Sequence, residues 1–276
     1  MNNLVTCLIL TKNEEKNIKR AIESAKLVTN NIYVIDSLSS DKTVQIAQEC
    51  GANVIQHPFE THGKQFNWAM EEIDIQTPWI MRLDADEEIT KELADEILNN
   101  CAEHLNDDVN GLVFKFKIYF LNKFLKHGGM YPFYRLSVFK TGIGFIDENG
   151  MRDQTLLKHG KMVYLKNDCL HFDYKTLEQW VYKHVWYSSM EFKNLCDRFD
   201  FKKGKRTSTS TKTNFFRDKI YYKLPMFFRA KLYYIYIYYF KLGFLDGKAG
   251  KIHAFFQAYW YRYLIDARIY EFKKSK

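Results

Sequence analysis

The sequence predicts an α/β fold: a Rossmann-like, mostly parallel sheet with flanking helices, followed by a C-terminal helical extension. Three observations predict it. Short apolar runs alternate with amphipathic stretches over the first hundred residues, the order that places crossover helices between parallel strands. Polar and acidic clusters follow those runs, where strands would leave a sheet. From Leu177 onward the pattern changes to helical stripes, and the charge balance turns basic towards the end of the chain.

Val5 to Leu10 reads as the first strand. Glu14 to Lys26 follows as a helix, with Ile18, Ala21, Ile22 and Ala25 at helical spacing. Asn31 to Ile35 is the second strand and Lys42 to Glu49 the second helix, with Asp41 placed to cap it. Ala52 to Ile55 is a short third strand, Lys64 to Ile73 a helix, Trp79 to Leu83 the fourth strand and Thr90 to Asn99 a helix. Gly111 to Phe120 and Arg135 to Lys140 read as further strands, and Val163 to Asp173 as strand and loop. Leu177, Trp180, Val181, His184, Val185 and Ser188 lie on one helical stripe. Lys202 to Thr213, with its Ser/Thr repeats, reads as an exposed loop. Two helices close the chain near Pro225 to Leu242 and Lys251 to Phe272, separated by Gly243, Gly247 and Gly250.

At 276 residues and 46% apolar content, the chain is long enough for one large domain or one and a half. Its five cysteines (Cys7, Cys50, Cys101, Cys169, Cys196) are odd in number and show no metal-ligand spacing. That argues for a reducing compartment and against a disulfide framework. Leu4 to Leu10 is no signal peptide, being interrupted by Thr6 and followed directly by Lys12-Asn13-Glu14-Glu15. No stretch approaches the ~20 apolar residues that span a bilayer. The net charge of +8 is unevenly spread: residues 201–276 hold 18 Lys+Arg against 4 Asp+Glu, a balance of +14, with 22 of the 46 aromatics. Such a segment suits a negatively charged surface, either anionic lipid or nucleic acid.

The chemistry gathers at the strand ends. Thr11-Lys12-Asn13-Glu14, Asp36-Ser37-Leu38-Ser39-Ser40-Asp41, Lys64-Gln65-Phe66-Asn67 and Asp84-Ala85-Asp86 would share one rim of a doubly wound sheet, where ligands bind. Asp84 and Asp86 are alternate residues on extended backbone and point the same way. They suit one hard cation bridging to phosphate; the plainer reading is a pair of carboxylates capping the next helix. Asp36, an acceptor-only carboxylate, suits the imide N–H of a uracil.

Taken together, Leu10-Thr11-Lys12-Asn13-Glu14, Asp36-Ser37-x-Ser39-x-Asp41-x-Thr43, Gln65-Phe66-Asn67 and Leu83-Asp84-Ala85-Asp86-Glu87 resemble glycosyltransferase family 2. The likeness is to the bacterial branch that builds lipopolysaccharide core and exopolysaccharide. Gly128-Gly129-Met130-Tyr131-Pro132, Tyr134-Arg135-Leu136 and Gly243-Phe244-Leu245-Asp246-Gly247 share it. The resemblance implies a GT-A fold over residues 1–174, with residues 175–276 as a basic, aromatic extension for packing, acceptor and membrane contact. It implies a nucleotide-sugar donor, with UDP the expected nucleotide, bound by Thr11, Asn13, Glu14, Asp36, Ser39, Asp41, Gln65, Asn67 and Asp84. Mg²⁺ or Mn²⁺ would sit on Asp86 and Asp84, with His171 assisting at the diphosphate. The transfer would be inverting, to a lipopolysaccharide or other lipid-linked saccharide acceptor.

An inverting transfer needs a base for the acceptor hydroxyl. The family's short acidic motif aligns with Met151-Arg152-Asp153-Gln154, which implies Asp153, with Glu148 and Asp147 as rivals. Here Arg152 and Gln154 replace an acid and a histidine of that motif. Arg135 would hold a phosphate or an acidic acceptor by bidentate bonding, or else form a surface ion pair. Lys231, Lys241 and the run Tyr233 to Tyr239 suit lipid headgroups. The expected location is cytoplasmic, peripheral on the inner face of the cytoplasmic membrane. Two other classes compete. A dinucleotide-dependent oxidoreductase lacks its Gly-x-Gly-x-x-Gly. A nucleic-acid-binding role for the basic tail leaves the acidic rim unexplained, so no nucleic-acid partner is expected.

Overall fold

Val5–Thr11 (β1) is buried along its whole length, as a strand covered on both faces must be. Alternate side chains serve two cores: Val5, Cys7 and Ile9 join one, Leu8 and Leu10 the other. These positions belong to a computed structural model that describes residues 4–146, 154–172, 176–198 and 221–274. The described chain divides into two compact units, residues 1–124 with 131–174 and residues 125–130 with 175–276.

In the first unit, Ile18–Ala25 (α1) turns Ile18, Ala21, Ile22 and Ala25 into the first core, each fully buried. Burial of a side chain as large as isoleucine stabilises by roughly 1.5–3 kcal/mol, so Ile22→Asp would break this helix from the sheet. The helix begins later than the sequence pattern predicts: the carbonyl of Glu14 accepts from the N–H groups of both Asn17 and Ile18, a turn that delays it. Ile32–Asp36 (β2), Thr43–Glu49 (α2), Asn53–Gln56 (β3), His62–Glu72 (α3) and Trp79–Asp84 (β4) follow in the expected alternation. Thr61 caps α3 by accepting from Lys64 N–H.

The chain then departs from simple alternation. Glu87–Ile89 (β5) is a three-residue strand ahead of Lys91–Glu103 (α4), which Thr90 caps rather than joins. Val109–Phe120 (β6), Lys123–Phe124 (β7), Phe133–Lys140 (β8), Gly144–Ile146 (β9), Thr155–Leu157 (β10) and Lys161–Phe172 (β11) complete the unit. The main sheet runs β3-β2-β1-β4-β8-β6-β11-β5, with β7 paired to β6 and β9/β10 as a separate hairpin. Strands β3 to β4 are parallel; β8 runs antiparallel to both β4 and β6, while β11 is parallel to β6. The α/β class is as expected, with a parallel half and a mixed half. The hairpin and β5 are too short for periodicity to reveal.

In the second unit, Leu177–Arg198 (α5), Phe228–Ile235 (α6), Gly247–Ala254 (α7) and Tyr261–Lys274 (α8) are α-helical. Wider turns at Tyr236–Phe240 and Phe255–Trp260 extend α6 and join α7 to α8. Leu195, Tyr261, Ile265 and Ile269 form its core. Arg229 and Asp266 are buried as an ion pair, and Asp266 also accepts from Phe227 N–H at 2.7 Å. Gly250, expected to break the helix, lies inside α7. A side chain there would meet the carbonyl oxygen of Gly243 at 2.3 Å, so glycine serves close packing.

Candidate active site

Strands β1, β2 and β4 end side by side. Leu10 pairs with Asp84 and Thr11 with Asp36. The strand order reverses between β1 and β4, and at such a point an open α/β sheet leaves a crevice beyond its carboxyl ends. The Thr11 hydroxyl is buried at this point without a hydrogen-bond partner.

On one side lies the β2–α2 turn. Asp36 Oδ2 accepts from Ser39 N–H at 2.8 Å and Gln56 Nε2 at 3.0 Å, while Oδ1 takes the Ser39 hydroxyl. Ser39 Oγ accepts from Asn13 N–H at 2.8 Å, and Asn13 Oδ1 accepts from Ser40 N–H at 2.9 Å. Asp41 Oδ1 accepts from Thr43 N–H and hydroxyl, and Oδ2 from Glu15 N–H. Burial raises the Asp41 carboxyl, but these donors outweigh it and hold it below its ordinary value. Thr43 Oγ1 in turn accepts from Glu14 N–H at 2.8 Å. Asn13 and Leu38 both adopt positive φ, at 54° and 58°, a backbone region uncommon for such residues and held here by the hydrogen bonds around it. Thr11, Asn13, Glu14, Asp36, Ser39 and Asp41 therefore form one braced wall. Gln65 joins it through Ser37, whose hydroxyl donates to Gln65 Oε1 at 3.0 Å.

On the other side lies the acidic motif. Arg135 on β8 donates Nη1 to Asp84 Oδ2 at 2.8 Å and to Glu87 Oε1 at 2.8 Å, and Nη2 to Glu87 Oε2 at 2.6 Å. Its guanidinium lies 4.4 Å from the Phe116 ring centroid. Glu87 Oε2 also accepts from Asp84 N–H at 2.9 Å. Burial raises the Asp84 carboxyl, but Arg82 and Arg135 outweigh it and hold it well below the usual carboxylate range. Burial and the Asp84 charge push Glu87 up against the pull of Arg135. Asp86 points to His171 on β11, whose Nε2 lies 3.2 Å from Oδ2. Burial would lower that imidazole, but Asp86, Glu87 and Asp84 raise it to about 9.

Two of the expected site residues are engaged with other protein groups. Arg135 is neither open to a phosphate nor on the surface; it is spent on Asp84 and Glu87, which it locks together. Asn67 is tied to β9: its amide donates to Ile146 C=O and accepts from Ile146 N–H, both at 2.9 Å, and so grips the end of that strand. Asp147, Glu148 and Asp153 lie outside the described residues, in the segment joining Ile146 to Thr155, which are themselves paired across the hairpin. Glu87 was missed as a site residue. Its signal was present, an acid following Asp84 and Asp86 on the run into Ile89, but only the fold supplies its partner.

A divalent cation fits this donor set in a limited way. Asp86 offers a carboxylate, His171 offers an imidazole once a cation displaces its proton, and Asp84 lies beside them under two guanidinium groups. Among the described residues no three candidate ligands are already gathered. Mg²⁺ and Mn²⁺ sites with few protein donors draw the remainder from water and phosphate oxygens, so the set suits a cation that arrives with a diphosphate.

Comparison with known proteins identifies the family of the chain. Residues 6–159 match the family described as Glycosyl transferase family 2. A glycosyltransferase of Rickettsia felis is 32% identical over 214 residues, 74% of this chain and 72% of that one. The chain therefore belongs to glycosyltransferase family 2 and is a glycosyltransferase. Protein RfbJ of Shigella flexneri is 28% identical over 109 residues, 39% of this chain and 83% of that protein. Glucosyl-3-phosphoglycerate synthase of Mycobacterium tuberculosis, solved with Mn²⁺, UDP and glucosyl-3-phosphoglycerate, aligns at 17% identity with a TM-score of 0.33, over 42% of this chain and 44% of that one.

Proposed function

We propose that this glycosyltransferase moves a hexose from a nucleotide-diphosphate donor, with UDP the nucleotide, to a saccharide acceptor carried on a lipid, with inversion at the anomeric carbon. One observation carries the donor half of the reading. The partnerless Thr11 hydroxyl sits where β1 ends, between the Asp36 turn and the Asp84-x-Asp86 motif. A nucleoside is an appropriate occupant beside the braced β2–α2 wall, where the fully buried Asp36 organises the turn through Ser39 and Gln56.

In this mechanism Asp86, with Asp84 and His171 beside it, would hold Mg²⁺ or Mn²⁺, which would supply charge neutralisation for the departing nucleoside diphosphate. Arg135 fixes the Asp84 carboxylate so that it needs no reorganisation when donor binds. A carboxylate of the 147–153 segment, Asp153 before Glu148 or Asp147, accepts the proton from the acceptor hydroxyl as that oxygen attacks. Asn67 fixes the point at which this segment begins.

Titration with UDP with and without Mn²⁺, followed by a hydrolysis screen of nucleotide sugars, tests the proposal. Metal-dependent UDP binding with slow hydrolysis of one donor is the expected result. No response to any nucleoside diphosphate would sink it.

A further inference from the structure

Six large apolar side chains stand out in water within ten residues: Tyr236, Tyr239, Phe240, Leu242, Phe244 and Leu245, with Phe240 75% and Leu245 54% exposed. They crown a turn that is firmly held. Asp246, only 5% exposed, accepts from His127 N–H at 2.8 Å and meets His127 Nδ1 at 2.8 Å. Gly128 N–H donates to the Lys241 carbonyl at 2.8 Å. Leu242 is held at φ 58°, a strained region for leucine. A side chain at Gly243 would meet the Ile237 carbonyl oxygen at 3.0 Å and Gly128 Cα at 3.5 Å, so the backbones touch there. A pinned pedestal under an exposed apolar tip implies a partner, because contiguous apolar patches are rarely left in water.

The charges identify the partner. Lys126, Lys231, Lys241, Lys248 and Lys251 are exposed in this unit. From Tyr221 to Ile265 there are seven Lys and Arg but a single carboxylate, Asp246, and that one is buried against His127. A two-fold contact between copies would set this patch against itself, placing lysines against lysines with no carboxylate between them. We propose that the 236–245 turn is a membrane-docking element: Phe240, Leu242, Phe244 and Leu245 enter the headgroup–acyl boundary while the surrounding lysines meet anionic lipid. Tyr233, Tyr234 and Tyr238 are half-buried, and Tyr234 stacks on Tyr238 at 5.5 Å. Packing therefore accounts for much of the tyrosine run, and the contact moves towards the turn. This deepens the lipid-linked acceptor reading but stands on features of the second unit alone.

The experiment is co-sedimentation of the full chain with phosphatidylglycerol/phosphatidylcholine vesicles and with pure phosphatidylcholine, at low and high salt. Wild type should bind the anionic vesicles at least about ten-fold better, and less so at high salt. Phe240→Ser with Leu245→Ser should weaken binding about ten-fold at either salt, and Lys241→Glu with Lys248→Glu should remove the salt-sensitive part. Nucleotide-sugar hydrolysis should be unchanged in both variants. Negligible binding to either vesicle would overturn the inference, as would a wild-type dimer that the Phe240/Leu245 variant dissociates. Vesicle binding by a protein that hydrolyses no donor would uphold the docking element and remove the transferase details instead.

Discussion

Arg135 Nη1 lies 2.8 Å from Asp84 Oδ2, a bond that joins β8 to the end of β4 across 51 residues. The same guanidinium binds both oxygens of Glu87, whose side chain is 2% exposed. One cation thus holds a buried carboxylate, Glu87, and a half-buried one, Asp84, at the rim of the sheet.

Removing that cation leaves buried charge uncompensated, which costs about 3–5 kcal/mol in comparable pairs. Arg135→Ala should therefore lower the midpoint of chemical denaturation strongly. Arg135→Met combined with Glu87→Gln should recover part of the loss. Wild-type stability in Arg135→Ala would show that the pair is idle.

In the proposed mechanism Asp86 would hold the metal with Asp84 and His171 beside it, Asp84 being paired to Arg135. Asp86→Asn should cut Mn²⁺-dependent UDP affinity by about 10–100-fold while leaving metal-free affinity and the circular dichroism spectrum unchanged. Equal UDP affinity with and without Mn²⁺ in wild type would refute the assignment.

The base acts only as the acceptor attacks. Asp153→Asn should lower acceptor transfer by about 100-fold or more and leave UDP binding intact. A comparable loss in Glu148→Gln, with Asp153→Asn active, would move the role to Glu148.

Asn67 is an independent probe of the same segment. Asn67→Ala deletes both hydrogen bonds to Ile146 without touching the donor wall. Turnover should fall about ten-fold with UDP affinity preserved, since a small misplacement of a reacting group is costly. Loss of UDP affinity instead would put Asn67 back in the donor site.

His253 supplies a pH signature in the second unit. Burial and the neighbouring His184 charge push its imidazole down to about 4, against a weaker pull from Asp246. Above pH ~6.5 both folded and unfolded forms are neutral; below it the unfolded chain gains a proton that the folded one refuses. Stability should fall between pH ~6.5 and ~4, by an amount on the order of 3 kcal/mol at 1.36 kcal/mol per unit, and then level off. His253→Gln should flatten this slope in urea melts at stepped pH. An unchanged slope would assign the acid sensitivity to other groups.

Much of the fold was legible because its signals are local. The apolar runs at Val5–Thr11 and Trp79–Asp84 mark strands buried on both faces, and Ile18, Ala21, Ile22 and Ala25 mark a helix by spacing alone. Placing Asp84 and Asp86 where the strand leaves the sheet followed from the cost of burying carboxylates in a strand interior. The β5 strand and the β9/β10 hairpin were not legible, because three residues do not establish a period.

By itself, the sequence determined the α/β order, the rim on which the acids gather, the basic and aromatic character of the last 76 residues and the family they accompany. Tertiary structure decided who partners whom. Arg135 clamps Asp84 and Glu87, and Asn67 grips Ile146. Within the Tyr233–Tyr239 run Tyr236 and Tyr239 stay exposed while Tyr233, Tyr234 and Tyr238 pack, and the exposed apolar surface continues through Phe240 to Leu245. The physical reason is common to all three. A side chain's partner depends on strand order, register and close backbone approach between residues far apart in the chain, and no short-range pattern of apolar and polar residues encodes those.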